Sequence, residues 1–252
     1  MGQNGMEALA TKVIDTSFDF RTDTPPGADP DACSLTLRRY HQVLWSKPLP
    51  NGMRFDLNAL TRGRLRHRSE LGEFVLASDT VIPTWEKWTK ASSVIGQLSE
   101  DEKKVFGTIR YTIGGMMVFP GKRVGGGQTI NMERGINPKI CDRMDLTLEC
   151  IRRYYLGEKS HRERAVQRFS QTLQRYADFF ALFENFTGYV DFFLLQDMVT
   201  SDYSEVKFAL PFDDFVSSPL PRDLNAYREY RRNSVDFIAA RNRRIDQLAL
   251  EL

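Results

Sequence analysis

Residues 112–155 read TIGGMMVFPGKRVGGGQTINMERGINPKICDRMDLTLECIRRYY, and this stretch decides the predicted fold. The apolar run within residues 107–119 has the β-branched and aromatic bias of a buried strand. A glycine-rich loop follows, and residues 129–135 predict a second strand. Asn137-Pro138 is typical of a helix start, with Asn as N-cap and Pro at the first helical position. A helix is therefore predicted from residue 138 to about residue 156.

The flanking segments complete an α+β fold. Residues 53–77 alternate polar and apolar side chains, which predicts two or three antiparallel strands. Further helices are predicted over residues 83–98, about 160–184 and about 222–249. We expect a small, mainly antiparallel sheet packed by a predominantly helical C-terminal half. Residues 1–17 are expected to form a flexible N-terminus and residues 18–252 a single α+β domain, with a split near residue 158 as the alternative.

The composition is that of an ordinary globular protein with little global charge. Hydrophobic residues make up 41% of the chain and charged residues 27%, and the formal net charge is +2. Such a chain is not a general polycation, so a non-specific coat for nucleic acid or membranes is not indicated, although a local basic patch could still contact nucleic acid. No stretch approaches 18 apolar residues, and the first 17 residues lack a signal-peptide core. We expect a cytoplasmic protein without a membrane partner.

The cysteines and histidines do not predict a metal site. There are three of each, widely spaced, and no CxxC, HxxxH or HExxH spacing occurs. The cysteines are expected to be reduced thiols, as in a cytosolic protein. No metal is assigned, and the sequence leaves any cofactor unknown.

Charged side chains interrupt the apolar stretch around the predicted helix start. Free backbone N–H groups and the helix dipole favour an anion at that place, and guanidinium forks suit phosphate. Asp142 or Glu149 would orient the guanidinium groups. The candidate ligand-binding residues are Arg134, Lys139, Asp142, Arg143 and Arg153. The alternative is an internal ionic network, since Glu149 and Arg153 stand at i, i+4.

His41 and Glu149 are the candidate catalytic residues. His41 lies in the predicted helical segment TLRRYHQ, next to arginines that can lower its pKa, so it could act as a general base near this site. No Ser or Cys nucleophile can be assigned to it from the sequence. The alternative is a structural histidine that covers an edge of the core.

Two other segments carry glycine or charge. The loop GKRVGGGQ at residues 121–128 matches neither the Walker A pattern nor the dinucleotide-binding GxGxxG pattern. It is interpreted as a mobile hairpin tip, with a lid or a loop that contacts nucleic acid as the alternatives. The predicted last helix is rich in arginine but also carries acids, which is typical of a solvated face. A docking surface for nucleic acid or an acidic partner is the alternative.

Several long phrases resemble those of an uncharacterised prokaryotic protein family of unknown function. They include FDFRTDTPPG, TLRRYHQVLWSKPLPNG, TIGGMMVFPG, DRMDLTLECIRRYY and GYVDFFLLQD, spread over most of residues 18–245. The resemblance implies that these are hallmark segments, and it assigns no activity to any residue.

The leading functional hypothesis is an enzyme or binding protein that recognises a phosphate-bearing small molecule or nucleotide. One alternative is a non-enzymatic interaction protein that uses the Arg-rich last helix as a partner surface, including a homo-oligomer. Another is a nucleic-acid-directed enzyme in a phage-defence or toxin setting, so nucleic acid remains a possible partner.

Overall fold

A computed structural model describes residues 13–61, 63–86, 88–158 and 163–251. The strands are β1 (Lys47–Pro48), β2 (Arg54–Phe55), β3 (Asn58–Ala59), β4 (Leu65–Ser69), β5 (Gly72–Thr80) and β6 (Met116–Pro120). The helices are α1 (Pro30–Cys33), α2 (Leu35–Trp45), α3 (Ser92–Ile95), α4 (Glu100–Arg110), α5 (Ile130–Ile136), α6 (Met144–Tyr155), α7 (Arg164–Gln174), α8 (Ala177–Ala181), α9 (Phe186–Phe192) and α10 (Leu224–Ala249). The fold is α+β, as predicted.

The main sheet is antiparallel, in the order β3-β4-β5-β6, and β1 pairs with β2 as a separate hairpin. β4 and β5 are joined by a two-residue turn, with Ser69 opposite Gly72. β5 then pairs along its second half with β6, placing Ser78 opposite Val118 and Thr80 opposite Met116. All five residues of β6 are buried, whereas β5 alternates between buried and half-buried positions in that half. β5 thus carries polar side chains into the interior of the molecule.

The second half of the described chain supplies somewhat more of the buried apolar residues than the first half. Met144 to Ile151 in α6 are all buried, so this helix runs through the interior. α10 runs alongside α4, and its Arg241 is fully buried. The Arg241 guanidinium donates to the backbone oxygens of Phe193, Gly114 and Met116, at 2.6 to 3.2 Å. This arginine satisfies carbonyl groups inside the core.

The segment that decided the sequence prediction folds differently in three places. Residues 100–110 form α4, which begins with a capping box between Ser99 and Glu102, so the predicted strand is confined to β6. Residues 130–136 form α5, where a strand was predicted. The Thr129 side chain caps this helix, and its buried positions follow helical spacing.

The third difference concerns the start of the central helix. Asn137 is the C-cap of α5, and α6 begins only at Met144 with Arg143 at its N-cap. Between the two helices, Cys141 and Asp142 adopt positive φ angles of 47° and 67°. The predicted anion site at a helix beginning at residue 138 is therefore displaced, because the chain turns there instead of entering a helix.

Of the other predicted helices, one is confirmed and two differ in the structure. Helix α10 confirms the predicted last helix to within a few residues. Among the described residues of the range 83–98, the structure has a short 3₁₀ turn at Thr89–Ala91 and the four-residue α3 in place of one long helix. The predicted helix at 160–184 is divided into α7 and α8, and residues 159–162 lie outside the described part of the chain.

The predicted flexible N-terminus lies only partly within the described chain. Residues 1–12 fall outside it. Ile14 is fully buried, and the backbone N–H of Asp15 donates to the Tyr40 hydroxyl at 2.8 Å, so this part packs on the core. None of the described helices is both long and apolar enough to cross a membrane.

Candidate functional site

Polar side chains converge at the carboxyl end of β5. Asp79 lies in this half of the strand, between Ser78 and Thr80. Asp31 comes from α1, Arg110 from the end of α4, Arg134 from α5 and Asp142 from the turn before α6. We call these five residues, Asp31, Asp79, Arg110, Arg134 and Asp142, the inner cluster. They are far apart in the sequence and meet because β5 supplies a common wall.

Arg134 is the fixed centre of the inner cluster. Its side chain is fully buried, and one terminal nitrogen lies 2.5 Å from Asp79 Oδ2 and 3.7 Å from Asp142 Oδ1. The other terminal nitrogen donates to the Asp142 carbonyl oxygen at 2.8 Å, and Nε donates to Thr147 Oγ1 at 3.0 Å. Every part of this guanidinium is used by the protein, so Arg134 acts as an internal counter-ion.

Arg110 is held differently and keeps one donor free. Its terminal nitrogens donate to Thr80 Oγ1 at 2.8 Å and Thr84 Oγ1 at 3.1 Å. The guanidinium lies 4.9 Å from the ring centre of Tyr111, within cation–π range. Nε is buried and has no hydrogen-bond partner among the described residues. Arg110 is thus oriented by neutral hydroxyls and keeps its positive charge available.

The carboxylates outnumber the cations in the inner cluster. Asp31, Asp79 and Asp142 face only two guanidiniums, and one carboxylate oxygen each of Asp31 and Asp142 is buried without a hydrogen-bond partner in the described structure. Burial raises the pKa of Asp31 to about 7, against the stabilising effects of Ser78 and Arg110. Burial and the nearby Asp142 also raise the pKa of Asp79, while Arg134 opposes this. The cluster therefore tends to retain a proton at neutral pH.

A cleft of about 290 Å³ opens beside the inner cluster. Its chemistry is set by two arginines, two acids and three aromatic residues, and its lining includes Arg21, Trp85, Glu86, Trp88, Arg110, Tyr111 and Asp142. We call it the Tyr111 cleft. Arg110 and Asp142 belong to both the cleft and the inner cluster. Asp31 acts electrostatically on Tyr111 and Arg110, so it lies close behind this wall.

Arg21 places a second guanidinium on the same aromatic ring. It lies 5.3 Å from the Tyr111 ring centre and is held by Asp19 and by Thr108 Oγ1, the latter at 2.9 Å. Its side chain is 41% exposed, which makes it accessible from the cleft. Two oriented guanidiniums on one ring create a local positive wall, opposite in sign to Glu86 and Asp142.

Two of the non-glycine residues with positive φ angles line the same cleft. Trp85 has a φ of 55° and Asp142 a φ of 67°, a region that is uncommon for residues with side chains. The indole N–H of Trp85 donates to the carbonyl oxygen of Cys141 at 2.9 Å and so ties the two turns together. Strain of this kind concentrates where a binding or catalytic geometry must be held.

His41 lies beneath β5 rather than in the cleft. It is 1% exposed; Nδ1 accepts from Trp45 Nε1 at 3.0 Å, and Nε2 lies 2.9 Å from Ser78 Oγ. Burial, and secondarily Arg241, lowers its pKa to about 3. Both nitrogens are occupied, which leaves none free to take a proton from a ligand. The arrangement is that of the structural alternative rather than of the predicted general base.

The other candidate residues divide between separate places. Glu149, the second catalytic candidate, is buried and paired with Arg152 and Arg153, at 2.8 and 2.5 Å. Arg153 also pairs with Asp214 at 2.7 Å. These three residues of α6 line a different, open groove. The groove shares no residue with the inner cluster or with the lining of the Tyr111 cleft.

Arg143 and Lys139 also have partners of their own. Arg143 forms a two-pronged pair with Asp145 and donates to the Pro219 carbonyl oxygen at 3.0 Å. Lys139 donates to the Val216 carbonyl oxygen at 2.5 Å. Of the predicted ligand-binding set, the structure brings only Arg134 and Asp142 together. The contacts of the others are those of the alternative, an internal ionic network.

The sequence reasoning missed Asp31, Asp79, Arg110 and Arg21. One signal was available, because Ser78-Asp79-Thr80 places three polar residues directly after the apolar run of residues 74–77 in the same strand. The arginines gave no signal, since an arginine at a helix end is common. No group of three His, Cys, Asp or Glu side chains in the described chain is arranged to hold a metal ion.

Charge on α10 is largely balanced within the molecule. Arg228 and Arg231 both pair with Glu102, and Arg244 pairs with Asp197 at 2.6 Å. A cavity of about 400 Å³ beside this helix is lined by Asp145 and Asp197, among others, and both acids already bind arginine. The Tyr111 cleft is the better candidate site, because it adjoins a guanidinium donor without a partner at Arg110, whereas the cavity beside α10 adjoins only the neutral hydroxyl of Ser234 without one.

Comparisons with known proteins give a family but no activity. No curated protein and no solved structure matches the chain. A family model described as a family of unknown function, DUF6994, matches residues 14–245. This match covers both walls of the Tyr111 cleft and the whole inner cluster. The chain belongs to the DUF6994 family of unknown function.

Proposed function

We propose that this protein recognises a phosphate-bearing small molecule of nucleotide type in the Tyr111 cleft. The observation that carries the proposal is Arg110, whose buried Nε has no partner and whose guanidinium lies on the cleft wall. A buried donor without a partner is rare in proteins, and a charged one is costly to leave so. A ligand oxygen would satisfy it.

The rest of the cleft matches the other parts of such a ligand. Trp85, Trp88 and Tyr111 offer aromatic faces on which a planar ring can stack. Glu86 and Asp142 offer carboxylates that accept from sugar hydroxyls. A volume of about 290 Å³ suits a ligand of mononucleotide size.

The charges that line the cleft indicate how many phosphate groups the ligand carries. Arg21 and Arg110 supply two positive charges, and Glu86 and Asp142 supply two negative ones. A monophosphate can approach the guanidiniums and avoid the acids, whereas a triphosphate would bring charge close to at least one carboxylate. We therefore expect nucleoside monophosphates to bind more tightly than triphosphates.

The test is a thermal-shift screen followed by calorimetric titration. The probes are adenosine 5′-monophosphate, adenosine 5′-triphosphate, adenosine, ribose 5-phosphate and inorganic phosphate. A ligand present at 100 times its Kd stabilises the native state by about 2.7 kcal/mol, which raises the melting temperature measurably. The monophosphate should give the largest shift, with smaller shifts for adenosine and for ribose 5-phosphate, because each lacks one recognised part.

Substitutions in the cleft test whether the ligand binds there. Arg110→Gln and Arg21→Gln should each weaken binding by on the order of tenfold or more, since a hydrogen bond to a charged group contributes about 1.5–3 kcal/mol. Arg54→Gln is the matched control, because Arg54 forms an exposed pair with Asp56 on β2, away from the cleft. Equal affinity in Arg110→Gln and wild type, or no shift with any phosphate-bearing probe, would refute the proposal. A cytoplasmic location is part of the same proposal.

A further inference from the structure

We propose that the cavity beside α10 is a second ligand site, which takes an α-amino acid whose large apolar side chain ends in a hydrogen-bonding group. The cavity has a volume of about 400 Å³, a size at which small-molecule pockets are found. It shares no lining residue with the Tyr111 cleft. Binding in this cavity therefore does not depend on the proposed nucleotide site.

The body of the cavity is apolar. Aliphatic, thioether and aromatic side chains from separate parts of the chain line it, among them Ile82, Met144, Met198, Phe208 and Phe237. Met144 and Met198 are buried, at 1% and 6% exposure. Methionine is flexible and polarisable, and its sulfur makes favourable contacts with aromatic rings. This lining suits a large apolar or aromatic group better than it suits a sugar or a phosphate.

Ser234 on α10 supplies a hydrogen-bonding group within this apolar lining. It is 1% exposed, and its Oγ has no hydrogen-bond partner among the residues that the structure describes. The hydroxyl of Tyr230, one helical turn earlier, donates to the Pro83 carbonyl oxygen at 2.9 Å instead. A buried polar atom without a partner is rare in native proteins. A hydroxyl group at the inner end of a ligand would give Ser234 its partner.

Two acids in the wall of the cavity are neutralised within the protein. Both carboxylate oxygens of Asp145 accept from Arg143, and Oδ2 also accepts from the backbone N–H of Ala209 at 2.9 Å. Asp197 pairs with Arg244 at 2.6 Å. These two carboxylates already have their cations, so the charge that a ligand meets is set by other residues.

One cation and one anion remain at the mouth of the cavity. Lys207 and Asp236 both line it and are both exposed, and neither side chain has a hydrogen bond or an ion pair to another described residue. Their exposure places them at the open end, whereas the buried Ser234 lies at the inner end. A ligand that matches this order has a head group with both charges, an apolar body and a polar tip. Tyrosine has all three.

Four related probes test the match by titration. Phenylalanine lacks the hydroxyl of tyrosine, tyramine lacks its carboxylate, and 3-(4-hydroxyphenyl)propionate lacks its ammonium group. Tyrosine should bind most tightly, with an advantage of roughly fivefold over phenylalanine, the effect expected for one neutral hydrogen bond. Its advantage over each singly charged probe should be roughly twofold to fivefold, because the charges at the mouth are exposed.

The methionines report where the probe binds. In protein labelled with ¹³C at the methionine methyl groups, added tyrosine should shift the NMR signals of Met144 and Met198 and leave that of Met132 unchanged. Met132 is 39% exposed on α5 and does not line the cavity. A shift of Met132 alone, or of none of the three, would overturn the inference.

Substitutions assign each part of the probe to a side chain. Ser234→Ala should abolish the preference for tyrosine over phenylalanine and leave the affinity for phenylalanine unchanged. Lys207→Gln should abolish the preference over tyramine, and Asp236→Asn the preference over 3-(4-hydroxyphenyl)propionate. Lys104→Gln is the matched control, because Lys104 is exposed on α4 and does not line the cavity. It should bind all four probes as wild type does.

Two further outcomes would refute the amino-acid site. One is an equal affinity of wild type for tyrosine and phenylalanine, a comparison that decides the matter even if Ser234→Ala does not fold. The other is an unchanged preference for tyrosine in a folded Ser234→Ala protein. Titration of the same sample with adenosine 5′-monophosphate tests the proposed function separately, and either site can fail without the other because they share no residue.

Discussion

The indole N–H of Trp45 donates to Nδ1 of His41 across 3.0 Å, one helical turn apart on α2. This contact decides the tautomer of His41 and, through it, the direction of the hydrogen bond to Ser78. A histidine that was expected to act as a base instead has both nitrogens occupied within the core. The same contact links the packing of α2 to the polar end of β5.

Trp45→Phe should therefore destabilise the protein, because it removes the hydrogen-bond donor to His41. It leaves a buried acceptor on His41 without a donor, which should lower the free energy of unfolding by about 1–3 kcal/mol. Urea denaturation measures the loss, and nitrogen shifts of His41 report any change of tautomer. Trp88→Phe is the control, because Trp88 is half-buried at the cleft. Equal stability of Trp45→Phe and wild type would contradict the assigned bond.

His41 should make the protein sensitive to acid. Burial lowers its pKa from 6.5 to about 3, so the unfolded chain takes up a proton at a higher pH than the native state. The stability that this provides is present above pH 6.5 and is lost as the pH falls toward 3. His41→Gln should lose less stability than wild type between pH 7 and pH 4, measured by urea unfolding at each pH. An identical loss in both proteins would contradict the prediction.

Asp31 should have the opposite pH dependence. Its pKa is raised from 3.8 to about 7, so its contribution to stability is fully present below pH 3.8 and is lost as the pH rises through 7. Asp31→Asn lacks this titration. The stability of the variant relative to wild type should therefore increase between pH 4 and pH 8, measured by urea unfolding with Asp56→Asn as an exposed control. A constant difference across that range would be the contrary result.

Gly63 and Gly27 form a matched pair for testing the support of Asp31. Both have positive φ angles, 70° and 76°, but a Cβ at Gly27 meets open space and one at Gly63 overlaps the backbone of Asp31 and Ala32. Gly27→Ala should lower stability by about 1–2 kcal/mol, the cost of the left-handed conformation. Gly63→Ala should lower it further and shift the Asp31 carboxyl resonance. Equal losses in thermal or urea unfolding would show that the close approach is unimportant.

Arg134 should be far more sensitive to substitution than an exposed arginine. Arg134→Ala leaves Asp79 and Asp142 buried without their cation, and removing one partner of a buried pair typically costs about 3–5 kcal/mol. Arg54→Ala removes an exposed pair, which contributes roughly 0–1 kcal/mol. Urea unfolding of both variants compares the two losses. A small loss of unfolding free energy in Arg134→Ala would mean that protonation neutralises the aspartates of the inner cluster when their cation is removed.

The regular elements with strong periodicity could be predicted from the sequence. The predicted last helix and the antiparallel strands predicted from the alternation of residues 53–77 both appear in the structure. Residues 129–135 could not be assigned correctly, because seven residues with few apolar positions fit a strand or a short helix equally well. Packing of Glu133 and Arg134 into the interior decided for the helix.

The candidate site was likewise predicted from the sequence only in part. The sequence by itself determined the α+β class, a helix that ends near residue 156, and the placement of charge at Arg134 and Asp142 within an apolar stretch. Only the tertiary structure decided which charges meet, since Asp31, Asp79 and Arg110 are brought together by α1, β5 and α4, whose contacts no local pattern encodes. Local periodicity reports which side of an element faces the core. Which side chain it contacts across the core depends on how elements distant in the sequence pack against each other. That packing is determined by the fold of the whole chain.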